Sequence, residues 1–590
     1  MAAGFAIALV GGLAGVRAPA QTAPQAQTPA QTQATREALN PLARTEQSMR
    51  RGQGDLFTGP LPESCPLPPM TSAYALRDVR VDGAAGLGDA ETRALWADLA
   101  DRPITTAGIC DLRDRLAARL FKKGILARVL IPGQRADGVV RLTVVEAQIA
   151  AVRFHGDVGP ARARVEAILD HLVGLAPFRL DTAQRYLLLA NDVPGVVAVA
   201  RFSQSTAPGA SSGSLDLDID LGRTPVEALV ETQNVNGAGY GPWTGIARVD
   251  FNGLTPLGDR TSLIADTTLG AQSQTVAQVI ESARIGANGV FTQASFAYGH
   301  THPGGGLPDL ALRGDSYVGT LEIDDPVIRL KRLNLTLAGG LDIVDQTNDS
   351  VGAGVLADDA LRVFWLRAIV GARRNFTRPI LGGHVSAAAD ATVDLRQGAD
   401  ILGASAPGAA TLSRPAGRSD AFVVREDSTF ALRFQPAAWP DAPFTLAVHT
   451  QAQWADKPLL AYEEQAIGNL TIGRGYDPDA VSGDRAIAAD IKAEAGPLPI
   501  SAWLRAPAAF SLGPYGFYDI ASVETLDGGA PAATLRSVGG GLEILVPYTA
   551  RGRAGVVHAD VAYAVPLDRV SPFAAARPPS RVLFTLVVTH

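Results

Sequence analysis

The chain reads as an α+β amino-terminal part followed by an all-β transmembrane barrel of antiparallel strands. Three observations carry that reading. Helical and strand periods alternate as far as residue 223, and only strand-like alternation follows. The later segments keep one face apolar and the other polar, as strands between lipid and a wet lumen do. Nothing after residue 20 approaches the roughly 18 consecutive apolar residues of a membrane helix, although the mean hydropathy is slightly positive.

A length of 590 residues exceeds one ordinary core and implies several domains. A composition of 47% hydrophobic and 19% charged residues excludes a disordered chain. The net charge of −7 is small for this length and gives no sign of nucleic-acid binding. Two cysteines, Cys65 and Cys110, are too few for a disulfide scaffold or a cysteine-rich zinc site.

The elements follow in order. Residues 1–20, "MAAGFAIALVGGLAGVRAPA", read as a secretory signal cleaved before Gln21, with a buried amino-terminal helix as the alternative. Residues 21–71 form a Gln/Pro-rich linker: a low-complexity tract to residue 35, helix formers with several arginines over 36–57, and a proline break at 59–70. From Tyr74, "YALRDVRVDG" alternates and closes on the turn pair Asp82-Gly83. The helix "GDAETRALWADLA" follows. A second helix carries Leu112, Leu116 and Leu120 on one face and can stop at Gly124. Two strands, "ILARVLIP" and "VVRLTVVEA", complete a β-α-α-β-β unit over 72–148, and the same order repeats over 149–223. In the repeat, "DTAQRYLLLANDV" reads as a helix opened by an Asp/Thr cap.

Residues 224–590 alternate in segments separated by Gly, Asp, Asn and Pro turns. In "FTLAVHTQAQW", Phe444, Leu446, Val448, Ala452 and Trp454 share one face, and Thr445, His449, Gln451 and Gln453 the other. Val582, Phe584, Leu586 and Val588 fit a closing strand. A soluble sandwich or solenoid could show such alternation; the length of the all-β region behind a signal favours the barrel.

The repeated units have the order of POTRA domains. The segment "FKKGILARVLIPGQRADGVVRLTVVEAQI" (121–149) resembles the first POTRA of two-partner secretion transporters, with Ile125 at a usual aromatic position and Ala147 at a usual glycine. "LLLANDVPGVVAVARF" (187–202) resembles their second, and "VNGAGYGPWTGIARVDFNGLTPLGDRTSL" (235–263) their first barrel hairpin. "TIGRGYDPDAVSGDRA" resembles their Val-Arg-Gly-Tyr loop, with Gly473 in place of valine, and "GPYGFYDIASV" the strand that carries its acidic partner. The chain thus resembles the haemolysin secretion/activation family of the POTRA-barrel superfamily over about residues 72–590.

That resemblance implies two periplasmic POTRA domains, residues 72–148 and 149–223, before an outer-membrane barrel, residues 224–590, of about 16 strands. It places the protein in the outer membrane of a Gram-negative bacterium. It implies that Arg474, Gly475 and Tyr476 anchor a loop inside the lumen, with Asp519 as the partner of Arg474. An arginine inside a barrel needs such a carboxylate. The implied partners are a secreted exoprotein with an amino-terminal secretion domain, captured on POTRA edge strands, outer-membrane lipid, and the barrel assembly machinery during biogenesis. An outer-membrane insertase is the alternative reading.

Other chemistries fit less well. No Lys-Ser/Thr follows the loop glycines, as a phosphate loop requires, and Asp477, Asp479 and Asp484 depart from calcium-loop spacing. His300 and His302 share a strand face without a third ligand and read as a barrel-rim pair. No catalytic or nucleotide motif appears, so no enzyme, cofactor, metal or nucleic-acid partner is expected. Cys65 and Cys110 allow either a bridge onto the second helix of the first unit or burial of Cys110.

Overall fold

In the computed structural model, the described residues are 34–42, 64–68, 73–83, 87–175, 178–211, 213–237, 241–269, 273–302, 312–376, 382–500, 510–528, 532–550, 553–570 and 576–590. The expected signal, residues 1–20, most of the linker and the rest of the 36–57 segment lie outside them.

The first unit contains β1 (Tyr74–Ala75), β2 (Asp78–Asp82), α1 (Asp89–Ala94), β3 (Pro103–Ile104), α2 (Thr106–Lys122), β4 (Ala127–Leu130) and β5 (Val139–Glu146). Strand β5 pairs in parallel with β2 and antiparallel with β4, giving the order β2-β5-β4. Leu112, Leu116 and Leu120 of α2 are buried against Val140, Leu142 and Val144 of β5. Thr105 caps α2 by accepting from the Gly108 amide at 3.4 Å. Cys65 and Cys110 form a disulfide that ties the lead-in to α2.

The second unit repeats the layout with β6 (Gln148–Gly156), α3 (Arg162–Leu169), α4 (Leu180–Asn191), β7 (Val196–Gln204) and β8 (Ser214–Arg223), in sheet order β6-β8-β7. In β8 the residues Leu215, Leu217, Ile219 and Leu221 pack under α3 and α4. The start of α4 differs from the sequence expectation. Arg179 is the capping position and no side chain caps it. The Leu180 amide instead donates to the Gly124 carbonyl at 3.0 Å, so contact with the first unit, not an Asp/Thr cap, sets where the helix begins.

Sixteen antiparallel strands then close a barrel. They are β9 (Val226–Gln233), β10 (Thr244–Asn252), β11 (Arg260–Thr268), β12 (Ser273–Ile285), β13 (Val290–His302), β14 (Leu312–Arg329), β15 (Leu333–Ser350) and β16 (Gly354–Asn375). After β17 (Gly383–Gly398), β18 (Phe422–Pro436) and β19 (Phe444–Ala455), a short hairpin of β20 (Gln465–Ile467) and β21 (Val481–Gly483) stands outside the barrel ladder. The wall resumes with β22 (Arg485–Ala495), β23 (Ser511–Glu524), β24 (Ala533–Ala550), β25 (Arg553–Pro566) and β26 (Arg581–Thr589). Strand β26 pairs with β9 from Thr585↔Gln233 to Thr589↔Leu229 and seals the cylinder.

Alternation decides which side each residue takes. Phe444, Leu446 and Trp454 of β19 are exposed on the outer wall, whereas Gln453 is buried on the lumen side. Among the described residues no helix is long and apolar enough to cross a membrane. The second unit docks on the turns at one end of the barrel. Arg329 holds Asp192 through two bonds of 2.6 and 2.7 Å, and Arg164 and Arg185 donate to the Gly286 and Pro326 carbonyls at 2.6 and 2.9 Å.

Candidate functional site

The segment between β19 and β22 folds back into the lumen. Its stem is the β20–β21 hairpin, and its tip carries Gly473, Arg474, Gly475 and Tyr476. Gly473 adopts φ +129°, a backbone region that L side chains rarely enter. At Gly475 an added Cβ would lie 2.8 Å from the Ser537 side chain and 2.9 Å from the Pro566 nitrogen. Glycine is what lets the tip lie flat on β24 and β25.

The tip is fastened at each residue. The Arg474 amide donates to Asp519 Oδ2 at 2.8 Å, and its guanidinium reaches the same carboxylate through Nη2 at 2.5 Å and Nε at 3.2 Å. Nη2 also meets Asp490 Oδ1, and the guanidinium lies 3.6 Å over the Phe517 ring. Asp490 and Asp519 are direct cross-strand partners on β22 and β23. Two carboxylates facing each other repel, and Arg474 between them offsets that repulsion. Ser537 donates to Asp519 at 2.8 Å and accepts from the Gly475 amide at 3.2 Å. Tyr476 is fully buried; its hydroxyl donates to the Arg536 carbonyl at 2.8 Å and accepts from the Asp568 amide at 3.0 Å. Arg581 of β26 donates to the Tyr476 carbonyl at 2.6 Å and pairs with Asp477 at 2.8 Å.

The other loop carboxylates are used as well. Asp484, fully buried, accepts from Arg414 at 2.6 Å and from the Leu459 and Leu526 amides at 2.6 Å. These bonds join both limbs of the loop to the β17–β18 and β23–β24 connections. His300 bonds Asp315 at 3.0 Å, and His302 the Leu312 carbonyl at 3.1 Å, beside the β13–β14 connection.

A second occupant fills the lumen. Residues 34–42 put Ala34 and Leu39 into a cluster with Val276, Ala297, Val318 and Val344 of the wall and Tyr462 of the loop. Gln346 donates to the Ala34 carbonyl at 2.9 Å, and Gln278 accepts from the Leu42 amide at 3.2 Å. At Gly299 of β13 an added Cβ would stand 2.3 Å from Leu39, so glycine there makes the seat. The sequence marks this stretch only as helix formers; the lumen seat comes from the wall around it.

Sequence reasoning also missed Asp490, Ser537, Arg414 and Asp484 as tethers. The parity of "RAIAADIKAEA" was enough to place Asp490 in the lumen once β22 was assigned, but no local signal marks the others.

Comparison with known proteins agrees with this architecture. The model of the ShlB-type POTRA domain matches residues 74–147. No curated protein matches the chain. Among solved structures, CdiB from Escherichia coli has a TM-score of 0.59 at 17% identity, over 90% of this chain and 93% of that one. CdiB from Acinetobacter baumannii also has a TM-score of 0.59, at 14% identity, over 94% and 97%. BamA from Haemophilus ducreyi lacking POTRA domains 1–3 has a TM-score of 0.51 at 12% identity, over 88% and 100%. The fold is a closed sixteen-stranded antiparallel barrel preceded by two α+β units. Within that class, the first unit is a POTRA domain of the ShlB type.

Proposed function

We propose that this chain is an outer-membrane translocator of two-partner secretion. It captures an unfolded exoprotein, by that protein's amino-terminal secretion domain, and exports it through the barrel. The observation that carries the reading is an occluded pore behind a ShlB-type POTRA domain. The lumen of a sixteen-stranded barrel holds both the Arg474 loop and residues 34–42, so passage requires their displacement. Arg474, Gly475, Tyr476 and Asp519 act as the loop anchor.

The POTRA units face the periplasm in this reading. Their sheets end on β2 and β4, and on β6 and β7, each with one strand neighbour. An extended client can add to such an edge by backbone hydrogen bonds. The barrel contacts outer-membrane lipid through its apolar outer wall and is inserted by the assembly machinery. Folding of the exported chain outside supplies direction.

The likeness to BamA keeps a barrel insertase as the second reading. Proteomics of culture supernatant and outer membranes from a deletion strain and its parent separates the two. Loss of one large secreted protein with the membrane barrels intact is the expected result. Depletion of several barrels with no missing exoprotein means an insertase.

A further inference from the structure

The apolar outer wall has a sharp edge on β15 and β16. On β15 the outward side chains from Leu333 to Ile343 carry no charge, and the next one outward is Asp345. On β16, Phe364, Leu366, Ala368, Val370 and Ala372 face outward between Arg362 and Arg374. Along a strand tilted by about 40° the Leu333–Ile343 run rises about 25 Å, the height of a lipid-facing band. Arg362 and Asp345 pair at 2.8 Å and mark where the wall turns polar. This edge lies at the end of the barrel away from the second unit, which docks on the 286–289 and 330–332 turns.

The β17–β18 connection is pinned to that edge from outside the wall. The Ala399 amide donates to the Arg362 carbonyl at 2.8 Å, and the Ser405 amide to the Ala360 carbonyl at 2.9 Å. The Arg362 Nε donates to the Leu402 carbonyl at 3.1 Å. Ile401 and Leu402 are therefore held level with the polar–apolar boundary, beside Phe364. Neither is sheltered by protein: Leu402 is 67% exposed and Ile401 41%.

The backbone here runs against its own sequence. The Ala404 amide donates to the Ile401 carbonyl at 3.0 Å, closing a four-residue turn whose central residues are both left-handed, Leu402 at φ +48° and Gly403 at φ +76°. Such a turn selects Asn, Asp or Gly at its first central position, and a bulky leucine there is strained. An exposed, strained leucine gains nothing in water. Beside a lipid-facing wall it gains the transfer of its side chain out of water.

We infer that Ile401 and Leu402 form a hook that dips into the acyl chains of the leaflet on this side and moors the β17–β18 connection to the membrane. The hook continues the apolar outer wall beyond its last charged-free row. It rests on the barrel spanning a membrane, and not on what the barrel exports.

The test uses the full-length protein in liposomes, with heat-modifiable gel migration to select folded barrels. Cys65 and Cys110 are bridged, so a single added thiol takes a nitroxide spin label. Ile401→Cys and Leu402→Cys are compared with Leu366→Cys on the apolar wall and Val351→Cys in the β15–β16 turn. Oxygen concentrates in the acyl chains and a charged nickel chelate in water. Labels at 401 and 402 are expected to collide with oxygen in preference to nickel, as at 366, with the reverse at 351. Nickel-dominated collisions at both 401 and 402 overturn the hook.

The label is itself apolar, so a second measurement leaves it out. Leu402→Gly relieves the left-handed backbone but removes the side chain, whereas Leu402→Met keeps an apolar side chain. Hydrogen exchange over residues 399–405 is expected to rise several-fold in L402G and to stay at the parent rate in L402M. If L402G exchanges no faster than the parent, position 402 is only a turn and the inference falls. Residue 402 lies outside the barrel ladder, so the barrel of each variant is expected to fold.

Discussion

Arg474 sits between two carboxylates, and that decides what can replace it. Arg474→Ala leaves Asp490 facing Asp519 without a cation, at a cost of about 3–5 kcal/mol to loop anchoring. The expected outcome is a barrel inserted at normal abundance with secretion crippled. Arg474→Lys does not rescue it, since an ammonium cannot bond Asp519 through two nitrogens while reaching Asp490 and stacking on Phe517. Exoprotein in the supernatant, normalised to folded barrel, is the measurement; wild-type export by R474A sinks the assigned role. A second residue-scale effect lies in the first POTRA unit. Lys123 and Arg119 hold Glu91 down to about 2. A carboxylate depressed on folding contributes stability that is full above its ordinary range and fades as pH falls toward its folded value. Exchange protection of α1 should therefore fall between about pH 4.5 and 2. Glu91→Gln should remove that dependence, and added salt should weaken it, because the site is solvent-exposed.

Among elements, the disulfide has the largest expected consequence. It joins cysteines 45 residues apart and so closes a long span of the unfolded chain. Chain entropy assigns such a cross-link about 4 kcal/mol. Reduction, or Cys65→Ser with Cys110→Ser, should lower the denaturant midpoint of the first unit while the barrel transition stays in place. Equal midpoints with and without reductant would show that the lead-in contributes nothing to that unit. The helices show how legibility varies along the chain. Helix α2 was readable because Leu112, Leu116 and Leu120 repeat at helical spacing and Gly124 can stop it. The start of α4 was not, because a Gly124 carbonyl from the other unit fixes it.

For the whole molecule, the joint between the second unit and the barrel rests on Asp192. Its carboxylate takes two bonds from Arg329, and its carbonyl accepts from Arg284. Asp192→Ala strands Arg329 at a docked surface and should loosen the joint. Hydrogen exchange in the 286–289 and 330–332 turns should rise several-fold while exchange in the barrel strands stays constant. Unchanged exchange in those turns would mean that Arg164 and Arg185 carry the joint without it.

The sequence by itself determined the order of elements and the two-part fold. Periods of 3.6 and 2.0 are local properties, and in β19 the alternation alone assigns Phe444 to the outside and Gln453 to the lumen. Gly473 and Gly475 likewise mark in sequence a loop tip that must turn and lie close to a wall. Tertiary structure alone decided what fills the pore beside that loop. The seat of Leu39 exists because Gly299, on a strand far along the chain, lacks a side chain. Glu463 meets Arg396 and Arg425 because barrel closure and strand register bring them to one height. Local patterning says which face a side chain takes, whereas the partner across a lumen depends on register summed around the whole cylinder.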